Sequence, residues 1–135
     1  MNSVKFVVAV TACLALLAGC ATGPGGEIAN PFAGFFQPSK AEQALAAGIK
    51  QFEEGEYADA TRSLQSALDL GLAGDSNRIK AHKYLAFIHC VSGRQRPCRD
   101  AFVKALEINP SMQLEPAERG HPIWGPEFRS AKARK

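Results

Sequence analysis

The side chains best equipped for chemistry gather around the stretch HCVSGRQRPC, His89 to Cys98, where a histidine adjoins the first of two cysteines and arginines stand at 94, 96 and 99. With His82 nearby, these residue types offer three uses: a zinc site, a redox dithiol or a structural cross-link. Zinc would draw on His82, His89, Cys90 and Cys98. Adjacent side chains on a helix point about 100° apart, however, and the spacing matches no familiar finger. Reactive dithiols usually sit as C-x-x-C at a helix N-terminus, where the dipole lowers one thiol pKa. Here seven residues intervene, although Arg94, Arg96 and Arg99 would favour a thiolate. Type and spacing keep all three uses open and put the cross-link first.

Catalysis is not expected. The histidines are His82, His89 and His121, and no Ser-His-acid order, phosphate loop or paired acidic motif accompanies them. His82 and His89 are seven apart and share a helical face, where packing is their simplest role. No cofactor, metal or small-molecule substrate is expected. The chain of 135 residues has 16 basic and 13 acidic side chains, a net charge of +3. That balance is too small and too evenly spread to attract nucleic acid, and the length suits one small domain.

The N-terminus bears on the compartment. After Lys5, the apolar run FVVAVTACLALLA, Phe6 to Ala18, has the length of a signal-peptide core and is too short to span a hydrocarbon layer of roughly 30 Å. It ends in LAGC, Leu17 to Cys20, which resembles the lipobox of bacterial lipoproteins. The resemblance implies cleavage of residues 1–19 and acylation of Cys20. At about 0.8 kcal/mol per buried CH₂, several acyl chains would hold the protein firmly without a transmembrane helix. Ala21 follows in place of the aspartate that retains such proteins in the inner membrane, which implies an outer-membrane anchor facing the periplasm. With Cys13 removed and Cys20 acylated, Cys90 and Cys98 are the remaining thiols. In an oxidising compartment, a disulfide between them is the expectation.

The elements that must position these residues begin after a linker. Residues 20–38 are rich in Gly, Pro and Ala and read as a flexible tether with a root-mean-square reach of roughly 25 Å. Phe32, Phe35 and Phe36 within it would rest on the bilayer interface or on the domain. Ser39 and Glu42 match the S-x-x-E capping box of a helix start. Gly55, Gly71 and Gly93 each follow a helical stretch, where a left-handed residue commonly ends a helix, and Pro97 stands where a first-turn proline is tolerated. This punctuation predicts helices near 40–54, 57–70, 77–92 and 97–108, then a short helix from Pro126 in residues 111–135.

The helices read as two copies of one pattern. GIKQFEEGEYADATRSLQSAL places Gly48, Gly55, Tyr57, Ala60, Leu64, Ala67 and Leu68 at the spacing of a tetratricopeptide repeat, and LAFIHCVSGRQRPCRDAFVKALEINP repeats it with Leu85, Ala86, Gly93, Phe102, Ala105, Leu106 and Pro110. The resemblance covers Ala41 to Pro110. It implies an all-α fold: two tetratricopeptide-like helix-turn-helix repeats (residues 39–110) with a C-terminal capping segment (111–135), after a signal peptide and flexible linker. His82 departs from the family's tryptophan, and Cys98 replaces a small residue. In that fold Cys98, early in one helix, lies near Cys90, late in its antiparallel partner. A staple would help, because a pair of repeats exposes its ends. Trp124 and Phe128 are candidates to cover the last helix pair.

The repeat register also suggests a surface. Leu45, Ile49 and Phe52 stand at i, i+4 and i+7, with Ala44, Ala47 and Gly48 turned toward neighbouring helices, so the bulky stripe would line a concave face with Phe87 of the second copy. The expected occupant is a segment of an envelope protein; the chain's own tail or linker is the competing one. Finally, the lipobox, the repeats, AHKYLAFIHCVSGRQRPCRDAF and LEPAERGHPIWGPEF together resemble the TssQ family of lipoproteins associated with type VI secretion. That resemblance implies an accessory, protein-binding role in secretion. A general envelope assembly factor is the alternative, and a redox or metal protein a further one.

Overall fold

The computed structural model describes residues 37–134. The expected signal peptide, Cys20 and the linker aromatics Phe32, Phe35 and Phe36 lie outside the described residues. The described chain is all-helical: α1 Lys40–Glu53, α2 Tyr57–Asp69, α3 Asp75–Val91, α4 Gln95–Ile108, α5 Pro116–Arg119 and α6 Trp124–Ala133. No helix among the described residues is long and apolar enough to cross a membrane.

Local chemistry sets the boundaries. At the start of α1, the Ser39 hydroxyl accepts from the Glu42 amide at 3.2 Å while the Glu42 carboxylate accepts from the Ser39 amide at 2.8 Å, a reciprocal capping box. Helices α1 and α3 end in the same turn. Gly55 and Gly93 adopt φ values of 82° and 71°. The Gly55 amide donates to the Phe52 carbonyl and the Glu56 amide to the Gln51 carbonyl; Gly93 and Arg94 do the same to Cys90 and His89. Both are Schellman closures, which need a left-handed residue that glycine alone supplies without a Cβ penalty. Helix α3 starts at Asp75, two residues before the sequence-based start, because Gly74 at φ 75° breaks the chain just ahead of it. Helix α4 starts at Gln95, which leaves Pro97 in its first turn, where no helical amide bond is lost.

The helices pair as antiparallel hairpins, α1 with α2 and α3 with α4, and α3 packs back on α2 and α1. Close approach within the first hairpin depends on Gly48: a Cβ there would sit 2.7 Å from Leu64 Cγ and 3.1 Å from the Leu64 amide nitrogen. Ala60, Ala67, Ala81, Ala86 and Ala105 are fully buried beside Leu64, Ile88 and Phe102, so small residues admit the backbones and large ones fill what remains.

Beyond α4 the chain buries Met112 and Leu114, forms the single turn α5, and runs into α6. Helix α6 begins two residues ahead of Pro126 and packs on α4 and α3. That repeats the relation of α3 to α2 and α1. It occupies the seat of a third repeat's first helix, with Phe128 and Ala131 buried against the preceding hairpin.

Candidate functional site

The turn between α3 and α4 carries the cysteines. Cys90, near the end of α3, and Cys98, in the first turns of α4, are joined by a disulfide with their Cα atoms 5.1 Å apart, within the range a native bridge spans. Cys98 is 0% and Cys90 3% exposed. Thiol exchange requires an attacking thiolate to reach a sulfur atom. This pair is therefore placed as a staple and poorly placed for turnover. The bond also withdraws both sulfurs from the zinc set of His82, His89, Cys90 and Cys98. Among the described residues no group of three or more His, Cys, Asp or Glu is arranged to hold a metal ion.

His82 and His89 do share a face, and they line a cleft of ≈ 480 Å³ with Gln65, Asp69, Asp100 and Lys104. Burial lowers the pKa of His82, Lys104 and Arg78 lower it further, and Glu107 partly opposes them. Burial likewise lowers that of His89, with Arg94 and Lys104 adding to it. Both sites thus favour the neutral imidazole. Among the described residues His89 Nδ1 is buried without a hydrogen-bond partner.

A row of aromatic rings runs from the start of α2 across the first helices of the repeats, α1 and α3, to the start of α6. Tyr57 lies 5.8 Å from Phe52, Phe52 5.3 Å from Tyr84, Tyr84 5.8 Å from Phe87, and Phe87 4.5 Å from Trp124, where the two rings stack. His121 stacks in turn on Trp124. Lys83 crosses the row with its ammonium 5.6 Å from the Tyr84 ring and 5.7 Å from the Phe87 ring, and it donates to the Glu118 carboxylate at 2.6 Å. The Trp124 indole donates to the Glu118 carbonyl at 2.9 Å. On the far side of α6, Arg99 pairs with Glu127 at 2.7 Å. Each of these ion pairs is less than a quarter exposed, so they fix the tail more firmly than surface pairs would.

This geometry corrects the apolar stripe expected from the sequence. Leu45 and Phe87 are core residues, 5% and 2% exposed, and Phe87 lies beneath Trp124, so the tail covers it. Ala47 is exposed while Ala41, Leu45 and Gly48 face inward. The register is therefore turned by about one residue from the expected one. Ile49 and Phe52 are half-buried and pack on the core, and of the four stripe residues Phe52 and Phe87 join the aromatic row. Sequence reasoning missed Tyr84, whose counterpart in the first repeat is Ala46, and missed Lys83–Glu118, which joins residues 35 apart. The GEY triplet that places Tyr57 beside Phe52 was a readable signal.

No family model, curated protein or solved structure matches the chain.

Proposed function

We propose that the protein is a lipid-anchored interaction scaffold of the bacterial envelope, held by Cys20 in the outer membrane, facing the periplasm, and serving type VI secretion as an accessory. The observation that supports a binding role is the aromatic row across α1 and α3, whose Tyr57 end is exposed while its Trp124 end is closed by the tail. Aromatic side chains at a surface present large contact area at small entropic cost, the pattern of binding anchors. The resemblance to TssQ lipoproteins supports the setting. The stretch that carries much of it, LEPAERGHPIWGPEF, contains Glu118, His121, Trp124 and Glu127.

Two measurements test the reading. Cys20→Ala protein should leave the membrane fraction; fractionation like the parent would mean that lipid is not the anchor. Cross-linking in intact envelopes should join the parent chain to secretion components and lose that product when the secretion genes are deleted. Cross-linking to the same partners in a strain without the secretion system would favour a general assembly factor.

A further inference from the structure

The aromatic row is chemically divided into a filled half and an open half. In the filled half, the Lys83 ammonium lies over the Tyr84 and Phe87 rings and bonds to the Glu118 carboxylate. Two π faces and a carboxylate thus surround one cation, the arrangement in which cation–π attraction is strongest because the charge is partly desolvated.

The open half repeats the surroundings without the cation. Phe52 and Tyr57 lie 5.8 Å apart, and the turn FEEGEY sets Glu53, Glu54 and Glu56 between and beside them. Glu54 pairs with Lys50 at 3.6 Å. Glu53 and Glu56 are exposed and make no ion pair among the described residues. Tyr84 links the halves: its ring meets Phe52 edge to face, and its phenol pKa is raised by burial and then by the charges of Glu53 and Glu118, one from each half. Tyr57 is 39% exposed, so this end is accessible.

We propose that the Phe52–Tyr57 end of the row, with Glu53 and Glu56, is a docking site for an arginine- or lysine-bearing segment of a partner protein. The partner's cation takes the position at Phe52, Tyr57 and Glu53 that Lys83 holds at Tyr84, Phe87 and Glu118. Charge complementarity selects this occupant: an acidic peptide would meet unpaired carboxylates, and a purely apolar one would bury them without partners. The inference rests on the scaffold reading and gives it a partner chemistry.

The test uses the purified full chain and a labelled hexa-arginine peptide, followed by fluorescence anisotropy at low salt, with hexa-glutamate as the opposite probe. Hexa-arginine should bind and hexa-glutamate should not. Glu53→Gln/Glu56→Gln should weaken binding at least tenfold, and Tyr57→Leu, which keeps apolar bulk but removes the π face, should weaken it severalfold. Asp69→Asn/Glu107→Gln, which removes two carboxylates elsewhere, should leave it within twofold. All of these positions are exposed, so circular dichroism should be unchanged in each variant. Equal losses in the two double variants, or an unchanged Tyr57→Leu, would reduce the binding to diffuse charge and overturn the proposal. Self-association of the chain that disappears in Glu53→Gln/Glu56→Gln would assign the cation to a second copy and overturn it too. Envelope cross-links that persist in Glu53→Gln/Glu56→Gln would sink this site while leaving the scaffold reading standing.

Discussion

At the scale of single residues, space and charge each decide an outcome. Replacing Gly48 by alanine brings a helix-propensity gain of about 1 kcal/mol. The new Cβ would also sit 2.7 Å from Leu64 Cγ and 3.1 Å from backbone, and overpacking of this kind costs about 1–3 kcal/mol. Because backbone cannot yield as a side-chain tip can, the cost should win. Gly48→Ala should lower the urea midpoint, and a midpoint at or above the parent's would mean that α1 and α2 separate freely. Charge acts at His82 and His89, whose folded pKa values are both lowered. Between the folded value and the ordinary one near 6.5, the unfolded chain binds more protons. Stability from these rings is therefore complete above about pH 6.5 and declines as pH falls below it. Urea midpoints should drop between pH 7.5 and pH 5.5, before the carboxylates titrate, and His89→Gln should flatten that drop. An unchanged slope would mean that the imidazole is free to charge in the folded state.

At the scale of elements, punctuation made the first four helices legible. Gly55, Gly71 and Gly93 announce left-handed stops, and each holds a positive φ; Ser39 and Glu42 announce a start, and the cap is present. These signals are local, so sequence carries them. What sequence left open, between a partner and the chain's own tail, is non-local. Whether Phe87 faces a partner or the core depends on Trp124, which approaches it from α6, and nothing near Phe87 encodes that approach. Short α5 was hidden for a different reason: Pro116 reads as a breaker but stands at the first helical position, where its missing amide has no cost. The α3–α4 turn yields a prediction of its own. Closing a loop of this size contributes about 2.5 kcal/mol in the chain-entropy model, and both sulfurs are buried. Native protein should resist thiol labelling after brief exposure to dithiothreitol, whereas urea-unfolded protein should label at both cysteines. The fully reduced form should unfold at lower urea. Rapid labelling of the native protein would instead place the pair at an accessible, exchange-competent surface.

At the scale of the whole molecule, stability depends on how the second hairpin is closed. Phe128 meets Phe102 edge to face at 5.2 Å and is 4% exposed. Truncating a buried phenylalanine to alanine costs about 3–5 kcal/mol, so Phe128→Ala should loosen α6 before the hairpins melt. Trp124 is the chain's one tryptophan, so its emission reports directly on this docking. A red shift at low urea, preceding the loss of helical signal, is the expected result. Coincident transitions would show that the cap and the hairpins unfold as one unit.

The seat taken by α6 also bears on growth. A stack of hairpins is in principle a polymer, because each unit offers its successor the same surface that it took from its predecessor. Here the last such surface is consumed by the chain's own tail, which is locked by Lys83–Glu118 on one flank and Arg99–Glu127 on the other. Propagation therefore ends there. Another copy could extend the stack from that side only by evicting Trp124 and breaking both ion pairs, so the second hairpin is made to terminate an array rather than continue one.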